Sequence, residues 1–292
     1  GRELEARQAY DRALTAARQA IALDRAYPEA YAYLAETYAD LNIWENAIEN
    51  AQQAVDLNPN RADVQRALGY VRESQGNYSG AVEAYRRAAE LEPREAHLQI
   101  SLGQNYRVLA TLRDASQWQN ALAAFQRAID IDPALAAGYD ELGWTHYLME
   151  DFRTAENILE QAVQIDPQAW SPRSHLAATY YARRNYEEAA ITFKQAIALM
   201  NEEFDADQYC VIAQTRACDR AVTAYVTMAI SNCYLADAYN DPVRYYEGEA
   251  VPAFQRALTI RPDDEQILSG MDLCQIVMGK PPLRTPTPQP IN

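Results

Sequence analysis

An alanine that recurs at a nearly fixed interval is the feature of this sequence that most constrains its fold. Successive copies are separated by 34, 34, 40, 34, 34 and 61 residues, at Ala13, Ala47, Ala81, Ala121, Ala155, Ala189 and Ala250. A period of 34 residues is typical of a helix–turn–helix solenoid, in which each unit packs on the next one. We therefore expect an all-α chain of stacked helix pairs rather than a single globular core.

Other residue types repeat in register with this alanine. A second small residue follows it by seven positions, and a large apolar residue stands in each preceding helix, as at Leu34, Leu68, Leu102, Leu142, Leu176 and Met228. Small side chains let the two helices of a pair approach closely, and bulky ones fill the gap on the neighbouring turn. A proline near the end of most units can start the next helix but cannot continue the last one.

The unit around Ala81 carries the most complete motif. It contains Leu68-Gly69, the turn Gly76-Asn77-Tyr78 and then Ala81, Tyr85, Ala88 and Pro93. This pattern resembles the tetratricopeptide repeat family, and the resemblance extends over residues 1–279. It implies a right-handed superhelical solenoid of antiparallel helix pairs, with about six units, a partial unit at the N-terminus and a capping helix at the C-terminus.

The repeat columns also predict how the chain is divided. We expect a partial unit over 1–27, regular units over 28–200 with an insertion near 109–116, an acidic cysteine-containing insertion over 201–221, an irregular last unit over 222–264, a capping helix over 265–279 and a Pro/Thr-rich tail over 280–292. Gly1 aligns with the middle of a first helix, which favours a missing upstream segment. Insertions in solenoids often carry binding specificity, but tolerated loop growth explains these equally well.

Composition excludes several classes of function. The net charge of −15, from 26 basic and 41 acidic residues, argues against nucleic acid and anionic lipid as partners. No apolar run approaches the length of a membrane helix, so we expect no direct membrane insertion in this segment. His97, His146 and His175 lie in different units without a neighbouring nucleophile, and there is no Gly-rich phosphate loop. We therefore expect no enzymatic activity, no metal and no cofactor.

All four cysteines lie in the last third of the chain, at Cys210, Cys218, Cys233 and Cys274. An even number clustered where the repeat is most irregular favours disulfides, although four free thiols in a cytosolic protein remain the alternative. Adjacent first helices stack in the family, so Cys233 could pair with Cys274, while Cys210 and Cys218 could pin the insertion. With the Thr-Pro tail, these pairs slightly favour an extracytoplasmic location, periplasmic or extracellular, over a cytoplasmic one.

The resemblance also implies a binding groove, because first helices line the concave face in this family. The corresponding positions give an acidic N-terminal end and an aromatic and aliphatic C-terminal end, with Glu36, Asp40, Arg66, Tyr70, Glu73, Gln104, Arg107, Asp140, Trp144, Tyr147, Tyr181 and Ile230 as site residues. Such a gradient suits an extended peptide with a basic end and an apolar end.

Two functions remain open from the sequence. The first is a non-enzymatic scaffold that binds a protein or peptide partner along this groove. The alternative is a structural subunit that assembles with itself, head to tail, into an oligomer or filament. The half-unit start at Gly1 and the proline-rich tail motivate the alternative, because the tail could occupy a neighbour's acidic groove as an extended strand.

Overall fold

The computed structural model describes residues 2–204, 210 and 216–283. Gly1, residues 205–209 and 211–215 of the predicted acidic insertion and residues 284–292 of the predicted tail lie outside these residues. Within them, regular secondary structure is entirely helical, with fourteen α-helices, one π-helical segment and no strand. The chain is thus the all-α helical repeat solenoid that the alanine period predicts.

The helix bounds follow the repeat columns. They are α1 (Arg2–Leu23), α2 (Pro28–Asp40), α3 (Trp44–Leu57), α4 (Ala62–Ser74), α5 (Tyr78–Leu91), α6 (Ala96–Leu112), α7 (Gln117–Ile131), α8 (Ala136–Leu148), α9 (Phe152–Ile165), α10 (Trp170–Ala182), α11 (Tyr186–Phe204), α12 (Arg216–Tyr239), a π-helical segment (Val243–Ala250), α13 (Val251–Ile260) and α14 (Glu265–Val277). Across the described ranges, none of these helices combines the length and the apolar character that crossing a bilayer requires.

The turn inside a unit has the same backbone conformation in four units. Asn42, Gly76, Glu150 and Arg184 each follow a first helix of 13 residues, and their φ angles are 58°, 75°, 63° and 63°. A residue in the left-handed region ends a helix and lets the chain reverse, so that the second helix can return along the first. Glycine adopts this conformation without steric cost, which explains Gly76.

The 40-residue interval departs from this pattern. Its first helix, α6, has 17 residues and is one turn longer than the regular first helices. The following turn is held by a hydrogen bond from the Ser116 N–H to Asp114 Oδ1, at 3.0 Å. The residues near 109–116 therefore form the end of α6 and the short connection to α7.

The chain divides into two compact units, Gly1–Thr145 and His146–Asn292. In the first unit α2 packs with α3, α4 with α5 and α6 with α7, and first helices also contact each other, as α2 and α4 do. Its buried side chains form several small clusters, each shared by neighbouring helices only. Such a core makes stability a sum of local terms between adjacent elements.

Close helix packing explains the small-residue columns. Ala81 and Ala121 are fully buried, and so is the ring of Phe125. A Cβ atom placed on Gly103 would lie 2.6 Å from that ring, much closer than two carbon atoms can approach. A side chain at position 103 would therefore push α6 away from α7.

The second unit contains α9 to α14 and has a different kind of core. One large cluster extends from Ala177 to Cys274, beside a smaller one around Leu159. Two helices are longer than the regular 13 or 14 residues, because α11 has 19 and α12 has 24. The long α12 contacts α10, α11, α13, α14 and the π-helical segment, so the irregular part of the sequence packs around one central helix.

Candidate partner-binding face

The first helices of the first unit carry a series of polar side chains that contact one another in pairs or small groups. We call this set the charged ladder, and it comprises Glu36, Asp40, Arg66, Tyr70, Glu73, Gln104, Arg107 and Glu141. Asp40 is exposed and the other members are partly buried. Seven of the eight are site residues predicted from the sequence, so the fold brings most of that predicted set together within this unit.

The first contact of the ladder joins α4 to α2. Arg66 Nη1 lies 2.8 Å from Glu36 Oε1, and Arg66 Nη2 donates to Glu36 Oε2 at 3.3 Å. Burial raises the pKa of the Glu36 carboxyl above its usual value, and the neighbouring guanidinium partly opposes that rise. Arg66 therefore favours the ionised form of Glu36, which burial disfavours.

Tyrosine hydroxyls donate hydrogen bonds to the next two carboxylates of the ladder. Tyr70 donates a hydrogen bond to Asp40, and the Tyr85 hydroxyl donates to Glu73 Oε2 at 3.0 Å. Asn105 Nδ2 donates to the same oxygen at 3.0 Å. Burial, followed by these carboxylates, raises the pKa of Tyr70 and of Tyr85, so both hydroxyls keep their protons. The hydrogen bonds to Asp40 and Glu73 thus come from neutral groups.

The last contacts join α6 to Glu141 of α8. Arg107 Nη1 lies 2.5 Å from Glu141 Oε2, and Gln104 Nε2 donates to Glu141 Oε1 at 2.6 Å. The Arg107 guanidinium also lies 5.5 Å from the ring centroid of Phe125, a cation–π distance. Because both ends of this ion pair are mostly covered, its geometry is held more firmly than that of an exposed pair.

Glu141 and Asn105 are not among the site residues predicted from the sequence, although a spacing rule could have found two other contacts of the ladder. Arg66 and Glu36 are 30 residues apart, and so are Tyr70 and Asp40. That separation is the repeat period minus one helical turn, which places one side chain beside the next turn of the preceding first helix. A search for complementary side chains at this offset would identify these two contacts from sequence. It would not identify those of Asn105 with Glu73 or of Gln104 and Arg107 with Glu141, whose separations are 32, 37 and 34 residues.

The second unit presents aromatic side chains where the first presents charges. We call Tyr147, Phe152, Tyr181, Tyr186 and Tyr234 the tyrosine cluster. The rings of Tyr186 and Tyr234 stack with centroids 4.2 Å apart, the Tyr181 ring is tilted on Tyr186 at 5.7 Å, and Tyr147 lies 5.5 Å from Phe152. Burial, then its tyrosine neighbours, raises the pKa of Tyr181 to about 12.

Two predicted site residues lie inside the protein rather than on its surface. Asp140 is only 6 % exposed, so its carboxylate is not open to a partner. Ile230 is 8 % exposed because α14 approaches α12 closely, with Gly270 facing Val226 and Ile230. For both residues the expectation of a groove position is corrected. Trp144 is partly buried.

The cysteines occur in the pairs that the sequence analysis proposed. Cys210 and Cys218 form one disulfide, with Cα atoms 5.2 Å apart, and Cys233 and Cys274 form the other, with Cα atoms 5.4 Å apart. All four side chains are at most 2 % exposed. The second disulfide ties α12 to α14 and therefore fastens the C-terminal helix to the centre of its unit.

The histidines do not come together in a chemical site. His97 is exposed, His175 is buried, and His146 Nδ1 lies 3.3 Å from Asp151 Oδ2 at the end of α8. Among the described residues, no group of three or more His, Cys, Asp or Glu side chains is arranged to hold a metal ion.

Comparison with known proteins gives two kinds of match. Tetratricopeptide repeat family models match residues 37–96, 66–136 and 146–207, which is more than half of the chain. No curated protein sequence matches it.

Several solved structures share the architecture. The chain is similar to PilF of Pseudomonas aeruginosa, with 18 % identity and a TM-score of 0.59 over 84 % of this chain and 96 % of that one. It is also similar to PilW, described as a widely conserved type IV pilus biogenesis factor, with 15 % identity and a TM-score of 0.60 over 83 % and 97 %. A C-terminal part of a repeat protein from Cytophaga hutchinsonii gives 15 % identity and 0.56 over 90 % and 94 %. At these identities the likeness concerns the fold alone.

Proposed function

This chain belongs to the tetratricopeptide repeat family, and from that premise we propose that it is a non-enzymatic scaffold that binds an extended peptide or partner protein along its first helices. The family fold is a protein–protein interaction scaffold in general. The charged ladder and the tyrosine cluster are the surfaces that we assign to partner binding.

The observation that supports this proposal most strongly is that neighbouring side chains already hold the members of the charged ladder in place. Each of its members from Glu36 to Glu141 is held by a neighbour on an adjacent helix, yet most remain partly open to solvent. Side chains that are already fixed lose less conformational entropy when a partner binds. The same argument applies to the stacked rings of Tyr186 and Tyr234.

The chemistry of the two faces defines the expected ligand. In the ladder, Arg66 and Arg107 balance Glu36 and Glu141, whereas the hydrogen-bond donors to Asp40 and Glu73 are all neutral among the residues that the structure describes. The face therefore keeps a net negative charge and favours a basic segment. Tyrosine rings offer apolar surface with a polar edge, which suits proline-containing or aliphatic segments. We propose that the peptide has a basic part for the first unit and an apolar part for the second.

An extracytoplasmic location accompanies this proposal. Two buried disulfides persist in oxidising compartments and are rare in the reducing cytosol. Alkylation of the native protein from its host tests this directly. We expect no thiol to react before reduction, and four reactive thiols in the native protein would contradict the location.

Site-specific photo-cross-linking tests the binding face. A photoreactive amino acid is introduced at Gln104 or Tyr181 on first helices, and at Gln126 or Ile191 as exposed controls on second helices. In cells of the native host we expect the same partner to be cross-linked from the first pair and not from the second. Cross-linking from the control positions alone would contradict the proposal.

Self-assembly is the second candidate function. Its support is compositional, since the tail after Leu283 is rich in proline and carries Arg284, which the acidic ladder of another copy could accept. Light scattering on the full chain and on a chain ending at Lys280 separates the two ideas. If the chain assembles through its tail, the measured mass of the full chain should rise with concentration while the shortened chain stays monomeric. A monomeric state of both proteins at every concentration would rule out assembly.

A further inference from the structure

A cleft on another side of the first unit carries a second inference, which goes beyond the proposed function. It lies between the second helices α5 and α7, with α6 beneath, and has a volume of about 380 Å³. We call it the arginine cleft, after Arg86 and Arg127 on its walls. The α6 residues that line it, Gln99, Leu102 and Tyr106, differ from those of the charged ladder, so the two surfaces are separate.

The charges of the cleft are not balanced. Within the part of the chain that the structure describes, neither Arg86 nor Arg127 has an ion pair or a hydrogen bond. Glu90 is the carboxylate that lines the cleft, and Arg87 engages it at 3.1 Å. Two guanidinium groups are therefore uncompensated in a chain whose net charge is −15. Both side chains are exposed, so their charges are accessible to a ligand.

An amide group in the lining of the cleft points to the same place. Gln99 is only 7 % exposed and lines the cleft, but its side chain has no hydrogen-bond partner among the described residues. Its amide oxygen and nitrogen are not enclosed by protein, so they are open to a ligand in the cleft. A polar group that enters the cleft would supply the missing hydrogen bond.

The rest of the lining is apolar. Leu102, Ala89 and Ala124 are buried side chains of the cleft, and the Tyr106 ring forms part of its wall. An occupant must therefore combine an apolar side chain with negative charge. Guanidinium groups bind carboxylates through two parallel hydrogen bonds, which fits a peptide that carries acidic residues.

We propose that the arginine cleft binds an acidic segment of a partner protein, in which an apolar side chain is flanked by carboxylates. The apolar side chain lies on Leu102, and the carboxylates meet Arg86 and Arg127. The acidic surface elsewhere does not prevent this contact, because salt screens charges beyond about 8 Å in physiological solution. It does disfavour nucleic acid, whose continuous phosphate backbone would extend over that surface.

Fluorescence anisotropy with designed peptides tests this inference. The probe is a labelled peptide in which one Phe is flanked by Glu residues, and its control replaces every Glu by Gln. We expect the Glu peptide to bind at least tenfold more tightly, and its affinity to fall as salt rises. The double variant Arg86→Gln, Arg127→Gln should lose at least tenfold in affinity for it. Arg153→Gln, an exposed arginine of the second unit, should leave binding unchanged.

A second variant separates binding from folding. Gln99→Leu keeps the size of the side chain and removes the amide without a partner, so the fold should be retained while peptide affinity falls several-fold. Equal affinity for the Glu and Gln peptides would overturn the inference. So would tighter binding of a single-stranded oligonucleotide, or a double variant whose only change is weaker self-association, because the occupant would then be nucleic acid or a second copy. Tyr181→Ala should keep full peptide binding, which distinguishes this site from the proposed partner face.

Discussion

The two units of this chain bury their apolar side chains in different ways. In the first unit, small clusters such as the one around Tyr85 and Leu102 each belong to neighbouring helices, and polar pairs on the first helices connect one repeat to the next. In the second unit, one large cluster surrounds α12, and a disulfide joins that helix to α14. Regular spacing therefore accompanies local packing, whereas the inserted residues accompany a continuous core.

The contrast also separates two kinds of surface. Between the first two full repeats, which have the regular length, side chains 30 residues apart meet and begin the ladder of charges in the first unit. Where helices are lengthened, aromatic rings stack instead, as Tyr186 and Tyr234 do. Perturbations of one unit should therefore spread in the second and remain local in the first.

The largest effect is expected from the disulfide between α12 and α14. Replacing Cys233 and Cys274 by Ala opens a loop of 41 residues, and its closure entropy corresponds to a loss of about 4 kcal/mol in the free energy of unfolding. Hydrogen exchange should show this loss across the second unit, with unchanged protection in α2 to α5. The shorter Cys210–Cys218 loop of 8 residues is the control and should cost about 2.5 kcal/mol. An equal loss of protection in both units would contradict the proposed difference between them.

The next effect concerns close packing in the first unit. Gly103→Ala forces a Cβ atom against the buried ring of Phe125, so we expect a loss of about 2 kcal/mol. Gly69→Ala meets the Tyr85 ring at 3.0 Å and should cost less, since the approach is less severe. Urea denaturation followed by circular dichroism gives the sizes, and exchange rates should change mainly in the helices that pack on the substituted residue. An effect that extends through the whole unit would show that its clusters are not local.

Arg66→Met tests the charged ladder through its pH dependence. Removing the guanidinium leaves the Glu36 carboxylate half-buried without a cation, which should destabilise the protein by about 1 kcal/mol at pH 7. The folded-state pKa of Glu36 is already raised and should rise further, so the folded form binds a proton more readily than the unfolded form. The stability deficit should therefore shrink as pH falls through that pKa. The double variant Glu36→Gln, Arg66→Met should lack this pH dependence, and a deficit constant between pH 4 and pH 8 would contradict the account.

The smallest effect is expected from the tyrosines of the second unit at high pH. The pKa of Tyr181 is raised to about 12, against an ordinary value of 10.0, so the folded state retains its proton longer than the unfolded state. The corresponding stability is fully present below pH 10 and is lost as pH rises through 12. Thermal melts between pH 9 and pH 12 should show a declining midpoint, with a smaller decline in Tyr181→Phe. Identical curves for both proteins would show that Tyr181 does not contribute to the loss of stability at high pH.

Much of this architecture is predictable because the packing of helix pairs requires small residues at a regular spacing in the sequence. The column of Ala47, Ala81 and Ala121 identifies the pairs, and these side chains are all fully buried. The lengthening of α6, α11 and α12 was not predictable, since extra residues can extend a helix or form a loop at similar cost. Sequence position also could not show that Ile230 would be covered, because that depends on how closely α14 approaches through Gly270.

The charged ladder shows which contacts could not be predicted from the sequence. Assigning Glu36 and Arg66 to one face follows from the repeat register, but their pairing depends on the offset between stacked helices. That offset is set by the small residues at the helix contacts and becomes visible only in three dimensions. The uncompensated charges of the arginine cleft were missed for the same reason, because partners can be counted only once the helices are packed.

Calorimetric titration of a cross-linked partner is the most direct test of the proposed binding face. The partner recovered through Tyr181 is purified and titrated against the native chain, Tyr181→Ala and the exposed second-helix variant Ile191→Ala, after circular dichroism has established that each is folded. The account predicts at least tenfold weaker binding for Tyr181→Ala and native affinity for Ile191→Ala. Native affinity for Tyr181→Ala, together with a loss in Ile191→Ala, would place the partner on the second helices and contradict the account.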